Sequence, residues 1–141
     1  MRQGLALALA ALMAAGCARA AAFSAKVDIM ATQKRFAVAG EFTGSAGIDP
    51  LTQPVTFRMG AFSITIPAGS FHRDSFGQYV FGGPINGTLV TAGIRPQSGN
   101  QYAYGFLGMD AERLPTENPV EVQLTIGSYG GDASVTAKFE Q

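Results

Sequence analysis

The chain has 141 residues, with ten Lys or Arg against ten Asp or Glu, one His, one Cys and no Trp. A formal net charge of zero without any basic block offers nothing to hold a phosphate backbone, so no nucleic-acid partner is expected, and electrostatic attachment to anionic lipid fails on the same ground. A lone cysteine permits no intramolecular disulfide, and one His with one Cys cannot furnish a zinc or copper site, so no such cofactor is expected.

In chain order, residues 1–20 read as a signal peptide that is removed. Met1 and Arg2 give a positive start, Leu5 to Ala15 is an unbroken run of Ala, Leu and Met, and small residues follow. The run is too short for a stable membrane span. Two processing readings stand. Ala18-Arg19-Ala20 before Ala21 has the small-x-small pattern of ordinary signal peptidase, whereas Ala14-Ala15-Gly16-Cys17 is similar to a bacterial lipobox, in which Cys17 would be lipidated. Ala14 stands where a lipobox prefers Leu, so plain secretion to the periplasm or beyond is the preferred reading, with an outer-membrane lipoprotein as the alternative. Residues 21–141 then form one exported domain. Without Arg2 and Arg19 it has eight basic and ten acidic residues, a net charge of 8 − 10 = −2.

That domain alternates strand and turn signals about every ten residues and shows no 3.6-residue periodicity, which predicts an all-β fold. Phe23, Ala25, Val27 and Ile29 share one parity in a first strand. Phe36, Val38 and Phe42 line one side of a second, with Gly40 at a bulge. Thr43 to Gln53 is a Gly, Ser, Asp and Pro loop. Pro54 to Ile66 is a hairpin turned by Gly60 and Ala61, with Val55, Phe57, Met59, Phe62, Ile64 and Ile66 on its buried face. Ser70 to Gly77 is a polar surface excursion, Tyr79 and Phe81 share a short strand, and Asn86-Gly87 signals a type I′ turn before a strand from Leu89 to Arg95. Tyr102, Tyr104 and Phe106 mark the next strand. Pro119 onward repeats the hairpin: Val120, Val122, Leu124 and Ile126 alternate, Gly127 to Asp132 turn, and Val135, Ala137 and Phe139 return.

Two segments resemble each other. Phe36-Ala37-Val38 matches Tyr102-Ala103-Tyr104, Gly47-Ile48-Asp49 matches Gly108-Met109-Asp110, and the Pro-Val pairs lie 119 − 54 = 65 positions apart. This predicts a duplicated unit of four strands, and two units face to face give an antiparallel β-sandwich of about eight strands, immunoglobulin-like or similar. The run Thr65-Ile66-Pro67-Ala68-Gly69-Ser70-Phe71, with Asn118-Pro119-Val120 and the alternation through Val122, Leu124 and Ile126-Gly127, resembles a recurring pattern in exported bacterial β-sandwich modules of unassigned function. The resemblance implies the same fold and export. It brings no functional residue with it.

Few residues are available for chemistry. A Ser-His-Asp site would have to use His72, and His72-Arg73-Asp74-Ser75 holds all three residue types in one polar loop, but adjacency is not triad geometry and a solvated loop is the expected reading. No catalytic residue is assigned. Calcium would need oxygen ligands such as Asp110, Glu112, Glu117 and Asn118, with Asp49 in the matching loop; none has EF-hand spacing, and Asp49 and Asp110 read instead as turn caps. Paired carboxylates facing each other across a cleft are not expected either, because alternation sends the acids to outer faces and loops. Tyr79, Phe81, Tyr102, Tyr104 and Phe106 could form a stacking platform for sugar but read first as core. The expected function is that of a non-enzymatic exported protein with a structural or protein-interaction role in the envelope, its flat Ser- and Thr-rich edges open to self-association. A small-ligand or carbohydrate-binding module is the alternative.

Overall fold

A computed structural model describes residues 23–45 and 47–140. The signal peptide and Cys17 lie outside the described residues. Among the latter there are eleven strands and no helix long and apolar enough to cross a membrane. The strands are β1 (Lys26–Met30), β2 (Arg35–Thr43), β3 (Val55–Met59), β4 (Phe62–Ile66), β5 (His72–Arg73), β6 (Tyr79–Ile85), β7 (Thr88–Pro96), β8 (Gln101–Met109), β9 (Val120–Ile126), β10 (Tyr129–Val135) and β11 (Lys138–Glu140). They form a four-stranded sheet in the order β10-β9-β3-β4 and a seven-stranded sheet in the order β11-β1-β2-β8-β7-β6-β5. The all-β sandwich is as the alternation predicts; the strand number and the seven-and-four division are not those of an eight-stranded or immunoglobulin-type domain.

Alternation decides which face is buried. In β3, β4 and β9, Val55, Phe57, Met59, Phe62, Ile64, Ile66, Val120, Val122, Leu124 and Ile126 all point into the core, and the intervening residues point out. Opposite them Val27, Ile29, Phe36, Val38, Phe42, Val90, Ala92, Ile94, Tyr104 and Phe106 complete the same cluster. The Phe57 ring stacks on Phe106 at 4.6 Å, and Phe36 meets Phe62 edge-on at 4.9 Å, so aromatic pairs bridge the two sheets.

Several expectations need correction. Gly40 is not at a bulge: β2 and β8 pair without interruption from Phe36↔Gly108 to Thr43↔Gln101. Glycine is required there because a Cβ would overlap the Ser24 carbonyl. The second hairpin turns at Gly127-Ser128 alone, and residues 129–132, read as turn, open β10 instead. Val135 ends β10. Ala137 is buried after it, held by the Asn118 side chain, which donates to the Ala137 carbonyl at 3.0 Å and accepts its N–H at 2.7 Å. Phe139 belongs to β11, which pairs in parallel with β1 in the other sheet. The excursion from Ser70 to Gly77 contains a buried Phe71 and the two-residue β5.

The pairing has the form a repeat requires. Exchanging β1, β2, β3 and β4 for β7, β8, β9 and β10 turns the order β10-β9-β3-β4 into itself reversed, and does the same for β1-β2-β8-β7. Antiparallel neighbours are related by a local two-fold axis normal to the sheet. Ala39 pairs with Gly105, 105 − 39 = 66 positions on, and Arg58 pairs with Gln123, 123 − 58 = 65 positions on. These are the offsets seen in the sequence. The match of Gly47-Ile48-Asp49 to Gly108-Met109-Asp110 does not hold in detail, since Gly108 and Met109 lie in β8 and Gly47 lies in a loop.

Candidate functional site

The side chains singled out for chemistry are dispersed. His72 is exposed on β5, and no hydrogen bond joins it to Asp74 or Ser75 among the described residues. Asp74 is occupied otherwise: one carboxylate oxygen accepts the N–H groups of Phe76 and Gln78, each at 2.9 Å. Asp49 caps its own turn, accepting the Leu51 N–H at 3.0 Å and the Thr52 hydroxyl at 2.9 Å. Glu112 pairs with Lys34 at 3.0 Å, both exposed, and the contact holds the lysine's pKa above its usual value. No three His, Cys, Asp or Glu residues gather into a metal-sized group among the described residues. The aromatics point inward. Tyr104 and Phe106 are buried, and Tyr79, Phe81 and Tyr102 pack half-buried against the core.

The unusual surface is the outer face of the seven-stranded sheet. In β8 the residues from Tyr102 to Met109 are Tyr, Ala, Tyr, Gly, Phe, Leu, Gly and Met, apolar or small on both parities. The neighbouring segments Phe36 to Gly40 and Leu89 to Ile94 are similar, with Thr91 the one hydroxyl. The inward half of each makes core. The outward half lines up in cross-strand rows: Asp28, Ala37, Leu107, Thr91 and Gly82 in one, and Lys26, Ala39, Gly105, Gly93 and Val80 in the next. Small residues along the second row leave a shallow trench of about 440 Å³, floored by Ala37, Ala39 and Gly105, with Leu107 and Thr91 along one side and Lys26 and Asp28 at one end.

Beside the trench Leu89 pairs with Met109, and these two with Leu107 are 46%, 44% and 53% exposed. A charged rim of Arg35, Glu41 and Arg95 lies along the same face. The four-stranded sheet is the opposite case, exposing Arg58, Ser63, Thr65, Glu121, Gln123, Thr125 and Ser134. Sequence reasoning weighed the aromatics and missed this face. The signal was present in the strands that are apolar on both parities, a pattern of sheets covered on both sides. No protein-family model matches the chain, and neither curated proteins nor solved structures yield a match.

Proposed function

We propose that this is a non-enzymatic, exported β-sandwich that binds a partner protein through the outer face of its seven-stranded sheet. The observation that supports it is the two-sided apolar character of β2, β7 and β8, set against the polar outer face of the other sheet in the same molecule. A contiguous exposed apolar patch with a charged rim is the usual mark of an interaction site. Leu107, Leu89 and Met109 would fill recesses of the partner, and the Ala-Gly trench would receive one of its ridges. Export follows from the charged start, apolar run and small-residue cleavage pattern before Ala21.

Crosslinked pull-down from the native envelope, comparing the wild type with Leu107→Glu, tests the reading. One partner should be recovered with the wild type and lost with the variant, at unchanged thermal stability. Recovery of the same partner with both proteins would refute the assignment of the face.

A further inference from the structure

A second surface points to a different mode of recognition, independent of the outer sheet face. We propose that the free edge of β4 is a strand-addition site for an extended peptide segment bearing an acidic residue. Strand β4 ends the four-stranded sheet and pairs with β3 alone. Met59 and Phe62 flank a two-residue turn in which Gly60 has a φ of 61°. Flanking residues of such a hairpin exchange hydrogen bonds with each other, so Phe62, Ile64 and Ile66 direct their backbone groups to β3, and Ser63 and Thr65 direct theirs outward. Neither finds another backbone partner among the described residues.

The other edges are blunted, as exposed edges commonly are. Strand β5 has two residues, β11 has three with Lys138 and Glu140 in them, and β10 carries the charge of Asp132 at its centre next to Gly130 and Gly131. Strand β4 carries no charge along its five residues.

A groove of about 420 Å³ runs beside this edge, closed on the far side by Asn86 and Thr88 of the β6–β7 hairpin and by Arg113. Thr88 is the one buried polar residue of the described chain, 5% exposed, and its hydroxyl has no hydrogen-bond partner among the described residues. A buried hydroxyl left unpaired is destabilising unless something brings it a partner. The groove's charge is unbalanced, since Glu112 is neutralised by Lys34 while Arg113 forms no salt bridge among the described residues. The hairpin wall stands where the edge of a second folded sheet would have to pass, which favours a single extended segment as the guest. The mode is β-augmentation: main-chain hydrogen bonds to Ser63 and Thr65, a polar guest side chain on Thr88 and a carboxylate on Arg113.

The test uses a synthetic peptide of about six residues, a typical strand length, with alternating Val and Thr and one Glu, and a twin with Lys in place of Glu. In NMR titrations the Glu peptide should slow amide exchange at Ser63 and Thr65 and bind about tenfold more tightly than the Lys peptide. Ser63→Pro removes an outward N–H without touching the β3 ladder, and Thr88→Val removes the hydroxyl at constant shape; each should weaken binding about tenfold at unchanged or raised Tm. No protection of Ser63 and Thr65 at about 1 mM peptide would overturn the proposal. So would equal binding of the two peptides, binding indifferent to both variants, or perturbation confined to Thr91 and Leu107. Dimerisation of the peptide-free protein that Ser63→Pro abolishes would also overturn it, by giving the edge to a second copy.

Discussion

Phe57 shows how parity becomes stability. It is fully buried between the sheets, stacked on Phe106 at 4.6 Å and near Phe36 at 6.0 Å, so truncation leaves a cavity neither sheet can close. Phe57→Ala should cost about 3–5 kcal/mol in chemical denaturation, while Gln123→Ala, at an exposed position of β9, should stay within about 0.5 kcal/mol. Equal costs would mean the parity is wrong. Buried Tyr104 and half-buried Tyr129 make a pH prediction. Burial pushes the Tyr129 phenol up to about 12, with Asp132 adding to the shift, and drives Tyr104, whose hydroxyl donates to the Ser24 carbonyl at 2.8 Å, above the usual tyrosine range. An unfolded tyrosine ionises near its ordinary value of about 10. Between that value and the folded one the unfolded chain holds fewer protons than the native protein, so stability is complete below pH 10 and falls as pH rises toward 12. Tm measured from pH 8 to 12 should show the decline, and Tyr129→Phe should flatten it. These core positions were legible in the sequence because every second residue of β3, β4 and β9 is apolar and its neighbours are polar.

At the scale of the element, legibility depended on whether a strand obeyed that contrast. The β3–β4 hairpin did; β6–β7, apolar or small on both parities, was legible from its turn, since Asn86-Gly87 has positive φ at both residues, 49° and 87°, as the dipeptide predicts. Gly87→Ala should therefore destabilise the protein by about 1 kcal/mol through its left-handed φ alone, since a Cβ there would meet open space. A denaturation midpoint unchanged by that substitution would show that the turn is not under this constraint. The start of β10 was hidden because Gly130, Gly131 and Asp132 have turn chemistry, and tertiary pairing with β9 overrides it. Gly131 stays glycine for packing: a Cβ would overlap the Tyr129 hydroxyl and press on the Phe23 ring. Strand β11 was hidden for another reason, since a three-residue strand paired in parallel leaves no local period to read. The edge of β4 was legible as an uncharged strand, but the groove beside it was not, because Thr88 and Arg113 reach it from distant parts of the chain.

For the whole molecule, the symmetric strand order explains where the apolar outer face sits. Strands β2 and β8 are neighbours at the centre of that order, with Ala39 opposite Gly105, and the small outward residues of both meet there. The sheet is extended unequally around them, by parallel β11 on one side and by β6 and β5 on the other, so the face as a whole is asymmetric. Export is checked separately: intact-mass analysis of envelope protein should find an unmodified chain starting near Ala21 or Phe23, and an acyl mass on Cys17 would instead make the protein membrane-anchored. The most direct test of the binding face is site-specific photo-crosslinking in the native envelope, with the reactive group at Leu107 in one variant and at Thr125, on the polar outer face of β9, in another. A discrete adduct with one partner is expected from Leu107 and none from Thr125. Adducts from Thr125 but not Leu107, or from neither, would contradict it.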